Sequence, residues 1–135
     1  MGGRGSTGGS SGGGGGIKLP ELKGSEKQVS WATDILRNPY DTMSARVKSY
    51  EKQADAFDKI KKGNGENERQ VASAYKSAQK RYAAEISNLQ KMNPNGMKAS
   101  DIIDKRSGIN AIANNIIADE FKKRPALKYE ILGKV

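Results

Sequence analysis

The chain has 135 residues with 24 Lys and Arg against 15 Asp and Glu, so its net charge is +9, and it has no cysteine and no histidine. The absence of these two residue types excludes disulfides, zinc fingers, thiol nucleophiles and serine–histidine triads. The basic excess favours a polyanionic partner such as nucleic acid, an anionic membrane surface or an acidic protein, although it could serve solubility alone.

Nothing in the sequence is typical of a membrane protein. No apolar run approaches the roughly 20 residues that a membrane span needs, and no apolar stretch follows the basic start as in a signal peptide. We therefore expect a cytoplasmic protein that has no membrane partner.

Glycine and serine dominate residues 1–16, where Arg4 is the only charged side chain. Because glycine loses the most backbone entropy on ordering, this range is predicted to be a disordered arm. A phosphate-binding loop is the alternative, but the range lacks a Gly-Lys-Ser/Thr ending and a preceding strand. Residues 17–135 are then predicted to form a single helical domain.

The first predicted helix begins at Ser25 and ends near Arg37. Ser25 and Gln28 match a capping box, in which their side chains satisfy free backbone donors at the helix start. The sequence Asn38-Pro39 is expected to end this helix, because proline disfavours helical backbone in the residue before it. The result is a helix of about three turns.

Apolar residues are expected to fasten this helix to the rest of the protein. Leu19 and Leu22, just before it, are predicted to pack beneath it as a clip. Its own apolar face consists of Val29, Ala32, Ile35 and Leu36. Trp31 lies to one side of that face and is predicted to anchor in the core, and the alternative is an exposed site for a partner.

Residues 19–32 read Leu-Pro-Glu-Leu-Lys-Gly-Ser-Glu-Lys-Gln-Val-Ser-Trp-Ala. This stretch resembles the LPxLxGSEKQxxWA segment of small uncharacterised proteins from phages and other mobile elements of Gram-positive bacteria. The glycine-rich opening is similar to the start of phage proteins encoded near head-assembly genes. Both resemblances concern the N-terminal part of the chain. They imply an origin on a mobile element and carry no chemistry to transfer.

Two long helices follow, folded back on each other at Gly63-Asn64-Gly65. The first is predicted to start at Asp41 or Thr42 and the second at Asn64 or Asn67, and they end near residues 62 and 92. Each carries one apolar stripe at helical spacing. The stripes are Met43, Val47, Tyr50, Ala54, Phe57 and Ile60, then Val71, Tyr75, Ala78, Tyr82, Ile86 and Leu89. Stripes at this spacing are predicted to be core rather than a ligand site.

After a break at Asn93-Pro94-Asn95-Gly96, a short helix is predicted from Ser100 to about Arg106. The most apolar helix follows and is expected to close the hairpin. Its apolar residues are Ile109, Ile112, Ala113, Ile116, Ile117 and Phe121. Pro125 ends it, and 127–132 could be a further short helix or a strand.

The predicted fold is therefore all-α. A long antiparallel helical hairpin packs against a short N-terminal helix and a C-terminal apolar helix, which together make a small helical bundle. The hairpin could also form a homodimer, since an Ala-, Tyr- and Lys-rich surface suits contact with a second copy.

Basic side chains fall into two groups that we predict as candidate binding residues. The hairpin group is Lys48, Lys52, Lys59, Arg69, Lys76, Lys80 and Arg81, and the group after the apolar helix is Lys122, Lys123, Arg124 and Lys128. Such groups bind phosphates without sequence preference and with a strong dependence on salt. The alternative for the hairpin is a solvated face, because Glu51, Asp55 and Asp58 are interleaved at spacings that allow i,i+4 pairing.

The acidic residues give little indication of catalysis. Asp101 with Asp104, and Asp119 with Glu120, lack the second carboxylate cluster in an apolar pocket that acid–base chemistry uses. We therefore predict no catalytic residue, no metal site and no cofactor.

The function prediction is a phage- or mobile-element-encoded binding protein without enzymatic activity. It would act through its basic helical faces on nucleic acid or on an acidic, nucleic-acid-handling host protein, and inhibition of a host defence nuclease is one form of this. The alternative is a structural or assembly accessory protein of the phage particle that acts through protein–protein contacts.

Overall fold

A computed structural model describes residues 17–124, and the predicted arm at 1–16 and the tail at 127–132 lie outside this range. In chain order the elements are β1 Leu22–Lys23, α1 Glu26–Ile60, α2 Glu66–Met92, β2 Met97–Lys98, α3 Ala99–Asp104 and α4 Arg106–Lys122. The one sheet in the described chain is the parallel pair of two-residue strands. The predicted all-α class is confirmed.

Helix α1 is continuous over 35 residues and contains Pro39, so the predicted break at this proline is wrong. Proline removes one backbone N–H and usually bends or ends a helix. Here α2 supplies donors on both sides of it: the Tyr82 hydroxyl donates to the Leu36 carbonyl at 2.6 Å, and Gln79 Nε2 donates to the Tyr40 carbonyl at 3.4 Å. The predicted short N-terminal helix is therefore the first part of α1, and it pairs with α2 as one arm of the hairpin.

The start of α1 forms as the sequence predicts. The Gln28 N–H donates to Ser25 Oγ at 3.2 Å, and the Ser25 N–H donates to Gln28 Oε1 at 3.4 Å, which completes the capping box. Leu19 and Leu22 pack, partly buried, against the core. The strand pairing of β1 with β2, which the sequence did not indicate, joins this lead-in to the segment that follows α2.

The reversal between α1 and α2 occurs at Gly63-Asn64-Gly65, as predicted. Gly63 has φ of +97°, a conformation that glycine adopts without steric cost. The Asp58 carboxylate accepts hydrogen bonds from the N–H groups of Gly63 at 3.2 Å and Gly65 at 2.8 Å. The backbone of Gly65 touches the backbone of α1, since a Cβ at Gly65 would lie 2.1 Å from the Ala54 carbonyl oxygen. The turn is therefore held by backbone contact.

The predicted seam forms most of the core, with two exceptions near the turn. Phe57 is exposed and Ile60 is 78% exposed, so their predicted burial is wrong. The buried seam ends at a group of three aromatic rings. Phe121 of α4 meets Tyr75 edge-on with ring centroids 5.3 Å apart, and Tyr75 stacks on Tyr50 with centroids 6.1 Å apart. Phe57 and Ile60 lie nearer to the turn than this aromatic group and face solvent.

The C-terminal helices close the hairpin as predicted. Helix α3 packs on α1, and α4 packs mainly on α2. Their buried apolar residues are Ile102, Ile103, Ile109, Ala113, Ile116 and Phe121. Ile112 is instead exposed, because it borders an open groove between α2 and α4, and its predicted place in the core is wrong.

Replacing Tyr82 with phenylalanine is expected to lower the free energy of unfolding by about 1 kcal/mol, because the Leu36 carbonyl close to Pro39 loses a buried donor. Burial raises the pKa of Tyr82, so its hydroxyl stays protonated as a donor. Denaturant unfolding of the variant measures the loss. Tyr40→Phe is the matched control and should change little, since its hydroxyl has no hydrogen bond among residues 17–124; equal losses in both variants would contradict the assignment.

Candidate binding surfaces

Three ion pairs join α2 to α1 along one side of the hairpin. Arg69 pairs with Asp58 and lies 3.7 Å from Asp55, and Lys76 lies 3.5 Å from Glu51. The hydrogen bond from Arg69, followed by that from the backbone of the turn, holds the pKa of Asp58 below its usual range. The interleaved acids thus pair between the helices, whereas the sequence suggested pairing along one helix.

Four of the predicted hairpin lysines keep their charge unpaired. Lys48, Lys52 and Lys59 on α1 and Lys80 on α2 are exposed, and none forms an ion pair within 17–124. Helical spacing places Asp55 on the same edge of α1 as the three lysines. Arg69 and Lys76 bridge to acids on α1 at this edge, so the two basic edges adjoin. We call Lys48, Lys52, Lys59, Arg69, Lys76 and Lys80 the hairpin basic face.

Arg81 is separated from this face and meets the second basic group instead. Its Nη1 donates to Asp119 at 2.6 Å and to Glu120 at 2.7 Å. The Glu120 carboxylate also accepts hydrogen bonds from Lys123 and Arg124, each at 3.2 Å. These five residues form what we call the carboxylate cluster, which ties α2 to the end of α4. Much of the second predicted binding group is thus neutralised within the chain.

The carboxylate cluster fixes the charge of its acids. Burial acts to raise the pKa of Glu120, but hydrogen bonds from Arg81, Arg124 and Lys123 outweigh it and hold the pKa below its usual range. The hydrogen bond from Arg81 is the main cause that lowers the pKa of Asp119. Lys122 is exposed and forms no ion pair in the described part of the chain, and Lys128 lies outside that part.

Glu120 is the residue of this cluster that the sequence analysis undervalued. Its side chain is 5% exposed, although it is charged. The sequence did contain an indication of its role, because Glu120 lies four residues after Ile116 on the apolar face of α4. A carboxylate buried on such a face requires basic or hydrogen-bonding partners. The sequence did not say which basic residues those partners are.

Trp31 is not the core anchor that we predicted. It is 51% exposed, and the guanidinium of Arg106 lies 5.5 Å from its ring centroid. The alternative prediction was an exposed site for a partner, and of this the structure shows the exposure. The large apolar side chains exposed in the described chain are Trp31, Phe57, Ile60, Met92 and Ile112.

Two of these exposed side chains border an apolar groove between α2, α3 and α4. The groove has a volume of about 340 Å³ and its apolar lining includes Ile86, Leu89, Met92, Met97, Ile109 and Ile112. Exposed apolar surface of this kind is typical of contacts with another protein or an apolar ligand.

The described residues bring together no three Asp or Glu side chains that could hold a metal ion. Over the same range, no helix contains an apolar stretch long enough to cross a membrane. The surfaces that stand out are thus the hairpin basic face and the apolar groove. Comparison of the whole chain with protein-family models, curated proteins and solved structures finds no match.

Proposed function

We propose that this chain is a non-enzymatic binding protein whose hairpin basic face binds the phosphate backbone of nucleic acid. The observation that carries the proposal is the set of four exposed lysines, Lys48, Lys52, Lys59 and Lys80, whose charges no acid of residues 17–124 neutralises. Each such cation can displace a counterion from a phosphate, which drives binding at low salt.

The spacing of these lysines suits a phosphate backbone. Lys48 and Lys59 are separated by roughly 16 Å along α1, at about 1.5 Å per residue. One DNA strand carries a phosphate about every 3.4 Å of helix axis, so this edge spans about five phosphates. On α2 the exposed side chain of Ala84 is small, which lets a backbone approach closely there, whereas Ser73 accepts a hydrogen bond from Arg124.

The proposed binding is independent of base sequence. Base recognition on single strands uses aromatic rings on which bases stack. The rings of Tyr75 and Tyr82 are buried in the core and are therefore closed to bases. Phosphate contacts from lysine position a protein without reading sequence.

The same face would also fit an acidic surface of a nucleic-acid-handling host protein. The resemblance of residues 19–32 to phage and mobile-element proteins supports this version of the proposal. Inhibition of a host defence nuclease in the bacterial cytoplasm would then be its biological role.

A second candidate function is an accessory role in assembly of a phage particle. The exposed side chains of Trp31, Met92 and Ile112, together with the apolar groove, favour protein–protein contacts. This candidate predicts that activity depends on apolar residues and changes little with salt.

We expect the purified chain to bind generic duplex DNA or RNA at about 50 mM salt, with log affinity falling linearly as log salt rises. Changing Lys48, Lys52, Lys59 and Lys80 together to glutamine should lessen the slope of that line by about 3 to 4, because each lysine contributes about 0.9. Fluorescence anisotropy over a salt series measures both quantities.

The matched control changes Lys18, Lys27, Lys98 and Lys105 to glutamine. It removes the same net charge away from the hairpin basic face, so the slope should fall by much less. Equal effects in the two variants would show that net charge alone attracts the nucleic acid. No binding by the unmodified chain at about 50 mM salt would remove the direct nucleic-acid proposal.

A further inference from the structure

A second groove, of about 640 Å³, lies between α1 and α4 on a part of the surface that the proposed function does not use. One wall carries Asn38, Thr42 and Arg46, which recur every four residues along α1. The facing wall carries Asn110 and Asn114, four residues apart on α4. All five side chains are exposed, and both walls therefore present polar groups at a regular helical spacing. We call this the amide groove.

The base of the amide groove is apolar and includes Met43, Tyr75, Ile117 and Phe121. Among residues 17–124, Arg46 is the only charged residue in its lining, and its guanidinium lies 5.7 Å from the Tyr75 ring centroid. Within the same range Arg46 forms no ion pair and no carboxylate lines the groove. The site thus combines one fixed cation, two rows of neutral polar groups and an apolar base.

We propose that the amide groove binds an extended peptide segment of a partner protein, with an Asp or Glu of that segment opposite Arg46. A carboxamide has both a donor and an acceptor, so each asparagine can pair with the N–H and C=O of a peptide backbone. The guanidinium of Arg46 presents a planar set of donors that matches a carboxylate.

The spacing of the asparagines on α4 agrees with the repeat of an extended peptide. Asn110 and Asn114 are separated by about 6.0 Å along α4, at about 1.5 Å per residue. Alternate residues of an extended peptide are separated by about 6.6 Å. Successive asparagines can therefore meet alternate peptide groups on one side of the segment, while side chains on the other side enter the apolar base.

A peptide fits this groove better than nucleic acid does. A polynucleotide brings a phosphate with every nucleotide and needs several cations, whereas the described residues give this groove one cation, Arg46. The aromatic rings are also occupied. Arg46 and Tyr50 cover the ring of Tyr75, and the ring of Phe121 is buried. Neither ring offers a face on which a base could stack.

The test begins with a displayed library of random twelve-residue peptides selected on the full chain. We expect the selected sequences to share one Asp or Glu with apolar residues spaced two apart around it. A synthetic peptide of the commonest sequence is then measured by fluorescence anisotropy. Replacing its acidic residue with the corresponding amide should weaken binding about tenfold, as loss of one charge-assisted hydrogen bond does. This comparison needs no altered protein.

Variants of the chain locate the bound peptide. Arg46→Gln should weaken binding about tenfold, and Arg46→Lys should weaken it less, because it keeps the charge but loses the planar donors. Asn114→Ala should also weaken binding, whereas Asn115→Ala, on the adjacent exposed residue outside the groove, should not. The glutamine variant of the hairpin basic face should keep full peptide binding, which separates this proposal from the proposed function.

Other outcomes would overturn the proposal. Selection of no acidic sequence, or of sequences whose binding is unchanged by Arg46→Gln, would remove the site. Loss of oligothymidine binding in Arg46→Gln would assign the groove to nucleic acid. Stronger peptide binding in Glu130→Gln would indicate that the chain's own acidic residue after Arg124 competes for Arg46, and that the groove serves this chain rather than a partner.

Discussion

Replacing Gly65 with alanine is expected to lower the free energy of unfolding by about 3 kcal/mol, the upper part of the usual range for overpacking. The added Cβ would lie 2.1 Å from the carbonyl oxygen of Ala54 and 2.7 Å from its carbonyl carbon. These are backbone atoms of α1, so no side chain can rotate away and the two helices must move apart. Gly65 has a negative φ of −89°, so the steric cost that a positive φ imposes on alanine does not apply and the contact accounts for most of the loss.

Two further glycines serve as controls for this substitution, measured by the same denaturant unfolding. Gly108→Ala, within α4 and with open space around the added Cβ, should raise the free energy of unfolding by about 0.5–1 kcal/mol. Gly63→Ala has open space but a positive φ, and should lower it by about 1 kcal/mol. A loss in Gly65→Ala no greater than that in Gly63→Ala would show that the helices tolerate separation at the turn.

The elements that the sequence predicted well depend on local patterns. The capping box at Ser25, the glycine turn and the apolar stripe of α2 each involve residues within a few positions of one another. The prediction at Pro39 failed, since α1 continues through the proline, and carbonyls on either side of it accept hydrogen bonds from Tyr82 and Gln79, about forty residues away along the chain. A proline in the sequence shows that one backbone donor is missing, and it does not show how the helix around it packs on another helix.

This error also hid the amide groove. Asn38, Thr42 and Arg46 recur at intervals of four, which is visible in the sequence. A helix that ended near Arg37 would have left Asn38 outside the helix that carries the other two. Only because α1 continues through Pro39 do the three residues share one edge, opposite the asparagines of α4.

The positions of the basic residues were predictable, but their pairing was not. Arg69 pairs with an acid 11 residues away and Arg81 with one 39 residues away. Which lysines stay unpaired depends on where each acid lies once the helices have packed. The hairpin basic face therefore excludes Arg81, which pairs within the carboxylate cluster, and includes Lys48, Lys52, Lys59 and Lys80, which stay exposed and unpaired in the described chain.

Replacing Glu120 with alanine is expected to lower the free energy of unfolding at pH 7 by about 2–3 kcal/mol. Its carboxylate accepts hydrogen bonds from Arg81, Lys123 and Arg124, and its removal leaves three cations close together at the junction of α2 and α4. The loss should fall below that for a fully buried pair, because the freed cations can reach solvent. Glu85→Ala is the matched control: Glu85 is exposed on α2 and has no ion pair in the described chain, so its loss should stay within about 0.5 kcal/mol.

The pH dependence of this loss distinguishes charge from packing. Because the pKa of Glu120 is lower in the folded chain than its usual value, its ionised form stabilises the fold at pH values above the unfolded pKa, and this contribution is lost as the pH falls through the folded pKa. The loss of unfolding free energy in Glu120→Ala should therefore become progressively smaller as the pH falls from 7 into the acid range. Glu120→Gln should lose less stability than Glu120→Ala at pH 7. In acid, its stability should converge with that of the unmodified chain. A cost of Glu120→Ala that stayed constant across this range would mean that the side chain stabilises α4 by filling space, and that the basic residues around it are available to a partner after all.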